Sequence, residues 1–71
     1  MVVKNPAIFG RSVSELSKLL EHREFVISRI LRNDTNRIEI VAGNTVLNGD
    51  DKIFVITAEH DVEAIKTFIG Q

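Results

Sequence analysis

A polar turn that runs directly into an apolar strand is the feature that most restricts how this chain can fold. Asn48 and Gly49 both tolerate positive φ and are strong turn formers, and Asp50 can hydrogen-bond the exposed backbone of the turn. The segment from Lys52 to Ala58 follows at once and is rich in β-branched and aromatic residues. We therefore predict a structural turn at Gly49 and Asp50, with positive φ at Gly49, leading into a strongly apolar strand.

Two segments carry the start and stop signals of helices. Ser12 and Glu15 are spaced as a capping box, in which each side chain accepts a hydrogen bond from the backbone amide of the other residue. The apolar stripe that follows predicts a helix ending near His22. Asp61 is a good N-cap for a second helix, which we expect to end at Ile69 because a glycine comes next.

The remaining apolar segments predict strands. Residues 25–31 are rich in β-branched side chains, and residues 33–36 have turn chemistry that joins them to a shorter arm, residues 37–41, in a hairpin. Val2 and Val3 indicate a short first strand. The order strand, helix, three strands, helix predicts an α+β fold, with a mainly antiparallel sheet of three to four strands and two helices packed on one face.

Size and composition limit the classes of function. The chain has 71 residues, no cysteine and a formal net charge of −1 from nine basic and ten acidic side chains. This balance disfavours nucleic acid and anionic membranes as partners, and the absence of thiols excludes thiolate catalysis and thiolate metal sites. No apolar run approaches the roughly 20 residues that cross a bilayer, so we expect this segment to be soluble. A single domain this small has a marginal core, which favours a partner or a parent protein.

The strands are apolar on both faces, whereas two short helices can cover only one face of a sheet. We therefore predict a homodimer, with Phe25, Ile27, Phe54 and Ile56 at the interface. The alternative is that the helices wrap far enough to bury most of this surface, leaving ordinary exposed apolar area.

No pattern of residues indicates a catalyst or a bound cofactor. The two histidines, His22 and His60, lie far apart without carboxylates at ligand spacing, so we expect no metal site. Asp50 and Asp51 are adjacent, which points their carboxylates apart and excludes an acid and base pair. Nucleophile elbows, phosphate loops and dinucleotide fingerprints are all missing from the sequence, and we expect no enzymatic activity and no cofactor.

Arginines in and beside the first hairpin strand are the candidate binding residues. Arg29 interrupts an apolar strand, and Arg32 and Arg37 flank the hairpin, which gives a possible fork for a carboxylate or phosphate. Of these, Arg29 and Arg32 are the predicted contacts of a small anionic ligand. The structural alternative is that these arginines pair within the chain with Glu24, Asp34 or Glu39.

Four motifs in sequence order resemble those of one family. Residues 10–16 resemble the opening G-[KR]-[ST]-x-x-E-L, and residues 27–32 resemble a central strand that ends in arginine. A third resemblance lies in Thr45, Leu47, Gly49 and Asp50, which precede an apolar run from Ile53 to Ile56, and a closing helix comes next. From Pro6 to Gly70 the chain resembles the C-terminal domain of regulators of potassium conductance, also called the TrkA-C domain.

This resemblance implies a non-enzymatic α+β module that dimerises on the cytoplasmic side of cation channels and transporters. Such modules are thought to bind small ligands between protomers. Residues 1–71 would then be one regulatory domain cut from a larger transport protein, either a potassium uptake or channel protein or a transporter similar to aspartate:alanine exchangers. The alternative is a free-standing small-molecule-binding subunit of an enzyme, which an isolated 71-codon gene would favour.

Two positions depart from the family pattern. Members that bind cyclic di-adenosine monophosphate tend to carry an Asn-Ile pair early in the central strand, where this chain has Val26 and Ile27. Arg29 replaces a small residue that is usual at its position. The resemblance therefore implies a ligand of a different kind, or a partner surface unlike that of other members.

Overall fold

Two helices pack against a three-stranded sheet in the computed structural model, which describes residues 1–70. The helices are α1 (Val13–Leu19) and α2 (Val62–Ile69), and the strands are β1 (Phe25–Leu31), β2 (Ile38–Ile40) and β3 (Lys52–Thr57). Short 3₁₀ helices cover Pro6–Ile8 and Glu59–Asp61.

Helix α1 begins at the capping box that the sequence predicts. The amide of Glu15 donates to Ser12 Oγ at 3.2 Å, and the amide of Ser12 donates to a carboxylate oxygen of Glu15, also at 3.2 Å. The bond from the Ser12 amide is the largest cause that holds the pKa of Glu15 below its usual value, followed by a hydrogen bond from the Arg11 side chain. The helix ends at Leu19, which is earlier than the predicted end near His22.

The prediction that the Asp61 side chain caps α2 is wrong. Asp61 does precede the helix, but its side chain makes no capping hydrogen bond. Its carboxylate is buried and instead accepts a hydrogen bond from Arg23 Nη1 at 2.9 Å, joining the end of the α1–β1 loop to the start of α2. That bond is the main reason why the pKa of Asp61 lies below its usual value.

The sheet is antiparallel, with β1 in the centre between β2 and β3. The predicted hairpin is present, and β2 is a short, fully exposed edge strand. The predicted first strand is reduced to one bridge between Val2 and Lys52. The fold is therefore α+β with three strands.

The helices and one face of the sheet share a single core. Leu16 of α1 and Ile65 and Ile69 of α2 are fully buried, together with core residues of β1 and β3. The complete set of buried apolar residues is Val3, Ile8, Leu16, Ile27, Ile30, Leu47, Ile53, Ile65 and Ile69. Both helices thus cover the same face, which leaves the other face of the sheet without a helix.

An irregularity in β1 decides which residues enter the core. The register with β3 shifts between Ile27 and Arg29, so that Ser28 is an extra, bulged residue. Because of the bulge, Ile27 and Ile30 both face the helices although they are three residues apart, and Arg29 faces away from them. Strict alternation would have grouped Arg29 with Ile27 in the core, where an unpaired guanidinium is costly.

Candidate functional site

The sheet face opposite the helices carries several exposed apolar side chains, and we call it the outer face. Cross-strand pairing places eight residues on it: Val26, Arg29, Leu31, Ile38, Ile40, Lys52, Phe54 and Ile56. Five of these are large apolar side chains with exposed fractions between 39% (Phe54) and 86% (Ile40). Isolated exposed apolar residues are common, but five on three paired strands form a contiguous patch of the kind that marks an interaction surface.

The structure divides the four predicted interface residues between the two faces. Phe54 and Ile56 lie on the outer face. Ile27 is only 7% exposed and belongs to the core, and Phe25 is half-buried against the core. Neither residue lies on the outer face, which corrects the prediction for both. The antiparallel register is the reason. It pairs Phe25 and Ile27 with core-facing residues of β3, and this register cannot be read from either strand alone.

Arg29 occupies the middle of the outer face. It lies on the central strand, opposite Phe54 on one side and Ile40 on the other. Its side chain is exposed and has no ion pair or hydrogen bond with any residue between 1 and 70. A cation that is surrounded by apolar side chains and lacks an intramolecular partner can bind an anion without breaking an existing bond.

Arg32 has the opposite environment. Its guanidinium is 12% exposed and donates to Asp51 Oδ2 at 2.9 Å, to the carbonyl of Val46 at 2.7 Å and, through Nε, to Glu39 Oε1 at 3.1 Å. Burial acts to lower the pKa of Arg32, but the hydrogen bonds that it donates to Asp51 and Glu39 outweigh this effect, and the pKa is raised. The structure thus gives Arg32 the structural role that sequence analysis left open, with Glu39 among its partners.

Asp51 is the buried centre of this network, whereas the sequence predicted only that it would cap the turn together with Asp50. Its carboxylate accepts hydrogen bonds from Arg32 and also from the amides of Asn33 at 2.9 Å and Asn48 at 3.2 Å. A signal was available, because Arg32 follows β1 and Asp51 precedes β3. An antiparallel pairing of those strands brings the two side chains opposite one another as a cross-strand ion pair.

The predicted turn exists, but its residue with positive φ lies one position later than predicted. That residue is Asp50 (φ 69°) and not Gly49. Asp50 carries an exposed ion pair with Lys4, while the Asn48 amide of the turn donates to the Asp51 carboxylate. Gly49 instead lies close to Phe9, because a Cβ there would be 3.1 Å from the ring and would require the ring to shift slightly.

Metal and membrane features are not found in the described part of the chain. No group of three or more His, Cys, Asp or Glu side chains between residues 1 and 70 could hold a metal ion. Over the same residues, no helix combines the length and the apolar character that crossing a bilayer would need.

The arrangement of the elements is that of an RCK domain. A solved structure described as an RCK domain with cda superposes with a TM-score of 0.81, covering 97% of this chain and 91% of its own, at 20% identity. At that identity the likeness establishes the fold. The chain belongs to the TrkA-C domain family, because that family's model matches residues 1–70. The resemblance drawn from the four sequence motifs is thereby confirmed.

Curated relatives are transporters of unknown specificity. An uncharacterized transporter of Bacteroides thetaiotaomicron is 36% identical over 69 residues, and one of Porphyromonas gingivalis is 34% identical over 67 residues. A third, from Corynebacterium efficiens, is 39% identical over 69 residues. These matches cover 97%, 94% and 96% of this chain, but in each case only 12% of the relative. The chain therefore corresponds to a small part of each transporter.

Proposed function

We propose that this domain is a regulatory module on the cytoplasmic side of a membrane transport protein, where it pairs with a second copy and responds to a small anionic ligand. The family and the transporter relatives support the regulatory role in transport. In this proposal the domain catalyses no reaction and binds no cofactor. The transport protein is either of the potassium uptake or channel type or similar to aspartate:alanine exchangers.

The observation that carries the ligand and pairing proposals is an unpaired Arg29 at the centre of an exposed apolar patch. Association of two outer faces would remove Val26, Ile38, Ile40, Phe54 and Ile56 from water, which is favourable by about 25 cal/mol per Å² of apolar area. A two-fold interface of this kind uses the same patch on both copies. The apolar residues of the outer face would thus supply the energy of pairing.

The charges of the outer face explain why an anion belongs in the same interface. Arg29 and Lys52 are its charged strand residues, and none of its strand residues is acidic. Glu39 lies on β2 but pairs with Arg32 on the other side. Two copies alone would bring like charges together in a surface that excludes water, whereas an anion between them would neutralise the guanidinium groups. Ligand binding and pairing would therefore favour each other.

Thermal denaturation with a panel of nucleotides, cyclic dinucleotides and amino acids tests the ligand proposal. A ligand at 100 times its dissociation constant should stabilise the native protein by about 2.7 kcal/mol. Arg29→Ala should lose this stabilisation, and Arg29→Lys should lose part of it because lysine lacks the planar fork. Arg37→Ala is the matched control, since Arg37 is an exposed arginine outside the strands. Equal shifts for the native protein and Arg29→Ala would remove Arg29 from the site, and no shift with any anion would refute ligand sensing.

A further inference from the structure

Asn48 and Gly49 are turn residues that belong to neither the core nor the outer face. Asn48 is exposed, and its side-chain amide makes no hydrogen bond with any residue from 1 to 70. The backbone amide of Gly49 also finds no acceptor within that part of the chain. An exposed side-chain amide therefore stands next to a backbone nitrogen that the fold does not engage.

The geometry of the turn explains why the Gly49 nitrogen is free. The carbonyl of Asn48 accepts a hydrogen bond from the amide of Asp51 at 3.2 Å, and only the third turn residue, Asp50, has positive φ. This is the pattern of a type II turn, in which the amide of the second residue takes no part in the turn hydrogen bond. Because that second residue is Gly49, no Cβ hinders the approach to its nitrogen.

The contacts that hold Asn48 in place are weak. Its backbone amide donates to Asp51 Oδ2 at 3.2 Å, so both of its backbone hydrogen bonds lie at the long end of the usual range. Asp50 has a φ of 69°, a conformation that is uncommon for residues other than glycine. The turn can therefore open locally, which brings the Asn48 side chain to the Gly49 nitrogen without disturbing the core.

We propose that Asn48 is a self-modification site, which loses its side-chain nitrogen through attack by the Gly49 backbone amide, with water as the only co-reactant. The Gly49 nitrogen forms a bond to Cγ of Asn48 while the bond from Cγ to the side-chain nitrogen breaks. That nitrogen leaves as ammonia and takes the Gly49 amide proton with it. Water then opens the cyclic succinimide at either of its carbonyls and gives aspartate or isoaspartate. No atom is oxidised or reduced.

The two products affect the turn differently. Aspartate adds one negative charge close to the exposed Asp50 and leaves the backbone unchanged. Isoaspartate carries the backbone through Cγ, which inserts an extra atom between the Cα of residue 48 and Gly49. Gly49 then shifts against the Phe9 ring, and the Asp50 amide moves away from the Val3 carbonyl, to which it donates at 2.8 Å. Formation of isoaspartate would therefore loosen the N-terminal residues from the turn.

Other asparagines of the chain serve as internal controls. Asn44 is exposed like Asn48, but it is followed by the β-branched Thr45, whose side chain hinders ring closure. The Thr45 amide is also already engaged, because it donates to the carbonyl of Ala42 at 3.1 Å. Asn5 is buried, and its side chain both donates and accepts hydrogen bonds. These positions lack the features that the reaction at Asn48 needs.

Peptide mapping by mass spectrometry tests the proposal on the folded protein, kept in warm and mildly alkaline buffer. Asn48 should convert at least about tenfold faster than Asn44, because its ring closure meets neither a β-branched neighbour nor an engaged amide. Gly49→Ala should slow the conversion of Asn48 by about tenfold, because the added Cβ hinders the attack. Gly43→Ala is the matched control and should leave the rate unchanged, since a Cβ there makes only an ordinary contact with Ser14. Labelling by protein isoaspartyl methyltransferase identifies the isoaspartate product.

Melting temperatures separate the effects of the two products. Asn48→Asp supplies the charge alone and should melt like the native protein, whereas the purified isoaspartate form should melt several degrees lower. An isoaspartate form that melts like the native protein would show that the turn is not loosened.

Three further results would overturn the proposal. One is conversion of Asn48 no faster than that of Asn44 in the native protein, a comparison that needs no variant to fold. Another is equal conversion of Asn48 in the native protein and in Gly49→Ala. The third is conversion in the folded protein more than about a hundredfold slower than in a peptide of residues 44–52, which would mean that the turn does not open locally.

Discussion

The two faces of the sheet place charged side chains in opposite environments, as two arginines only three residues apart show. On the helix-covered side, Arg32 is nearly buried and every described contact of its guanidinium is with the chain itself, through Asp51, Glu39 and a backbone carbonyl. On the outer face, Arg29 is exposed among apolar side chains and makes no ion pair within residues 1–70. The fold supplies ion-pair partners for Arg32, which it buries. It leaves the exposed Arg29 available to a partner or ligand.

Replacing each arginine in turn with alanine should give the largest difference in stability between the two faces. Arg32→Ala leaves the Asp51 carboxylate buried without its cation, and we expect a loss of about 3 to 5 kcal/mol in the free energy of unfolding. Arg29→Ala removes an exposed side chain without an intramolecular partner, so the change should stay within about 0.5 kcal/mol. Urea denaturation of both variants measures the difference, and equal losses would show that the faces are not distinct in this way.

Truncating isoleucines on β3 tests the same comparison without charge. Ile53 is fully buried in the core, and we expect Ile53→Ala to cost about 2 to 5 kcal/mol because it leaves a cavity. Ile56 is 66% exposed on the outer face, and Ile56→Ala should cost less than about 0.5 kcal/mol in the monomer. Thermal or urea melts at low protein concentration suit this test, because pairing would add stability that Ile56→Ala removes.

An ion pair of intermediate exposure should show a smaller, pH-dependent effect. Arg23 is 43% exposed and binds the buried Asp61 carboxylate, whose pKa lies below its ordinary value of 3.8. A carboxylate with a lowered pKa stabilises the fold above that ordinary value, and the contribution is lost as the pH falls from there through the folded-state pKa. Native protein should therefore be more stable than Asp61→Asn at neutral pH, with the gap closing as the solution is acidified. A gap that is constant with pH would mean that the ion pair is not its cause.

Local patterns in the sequence were sufficient for much of this fold. The bounds of β1, the Ser12 capping box and the edge position of β2 all follow from residues close together in sequence, and the family follows from motifs in order. What could not be predicted depends on how distant strands pair. The bulge at Ser28 and the register with β3 assign Ile27 to the core and Arg29 to the outer face.

The same limit applies to the candidate site. Sequence analysis proposed Arg29 as a ligand contact and Phe54 and Ile56 as interface residues, and these stay predictions. It could not separate Arg29 from Arg32. That separation depends on Asp51, which only the strand register brings beside Arg32. The shift of positive φ from Gly49 to Asp50 is a comparable case, because it is set by hydrogen bonds between the turn and the N-terminal residues.

Whether the outer face joins two copies of the domain is tested most directly by sedimentation equilibrium at about 0.1 mM protein in phosphate buffer, with inorganic phosphate as the anion. Interfaces of even modest affinity are populated at this concentration. The account predicts dimers for the native protein and monomers for Ile56→Asp, which places a charge in the patch without touching the core. At low protein concentration, where both proteins are monomeric, their melting temperatures should agree. A strictly monomeric native protein, or a dimer that persists in Ile56→Asp, would contradict it.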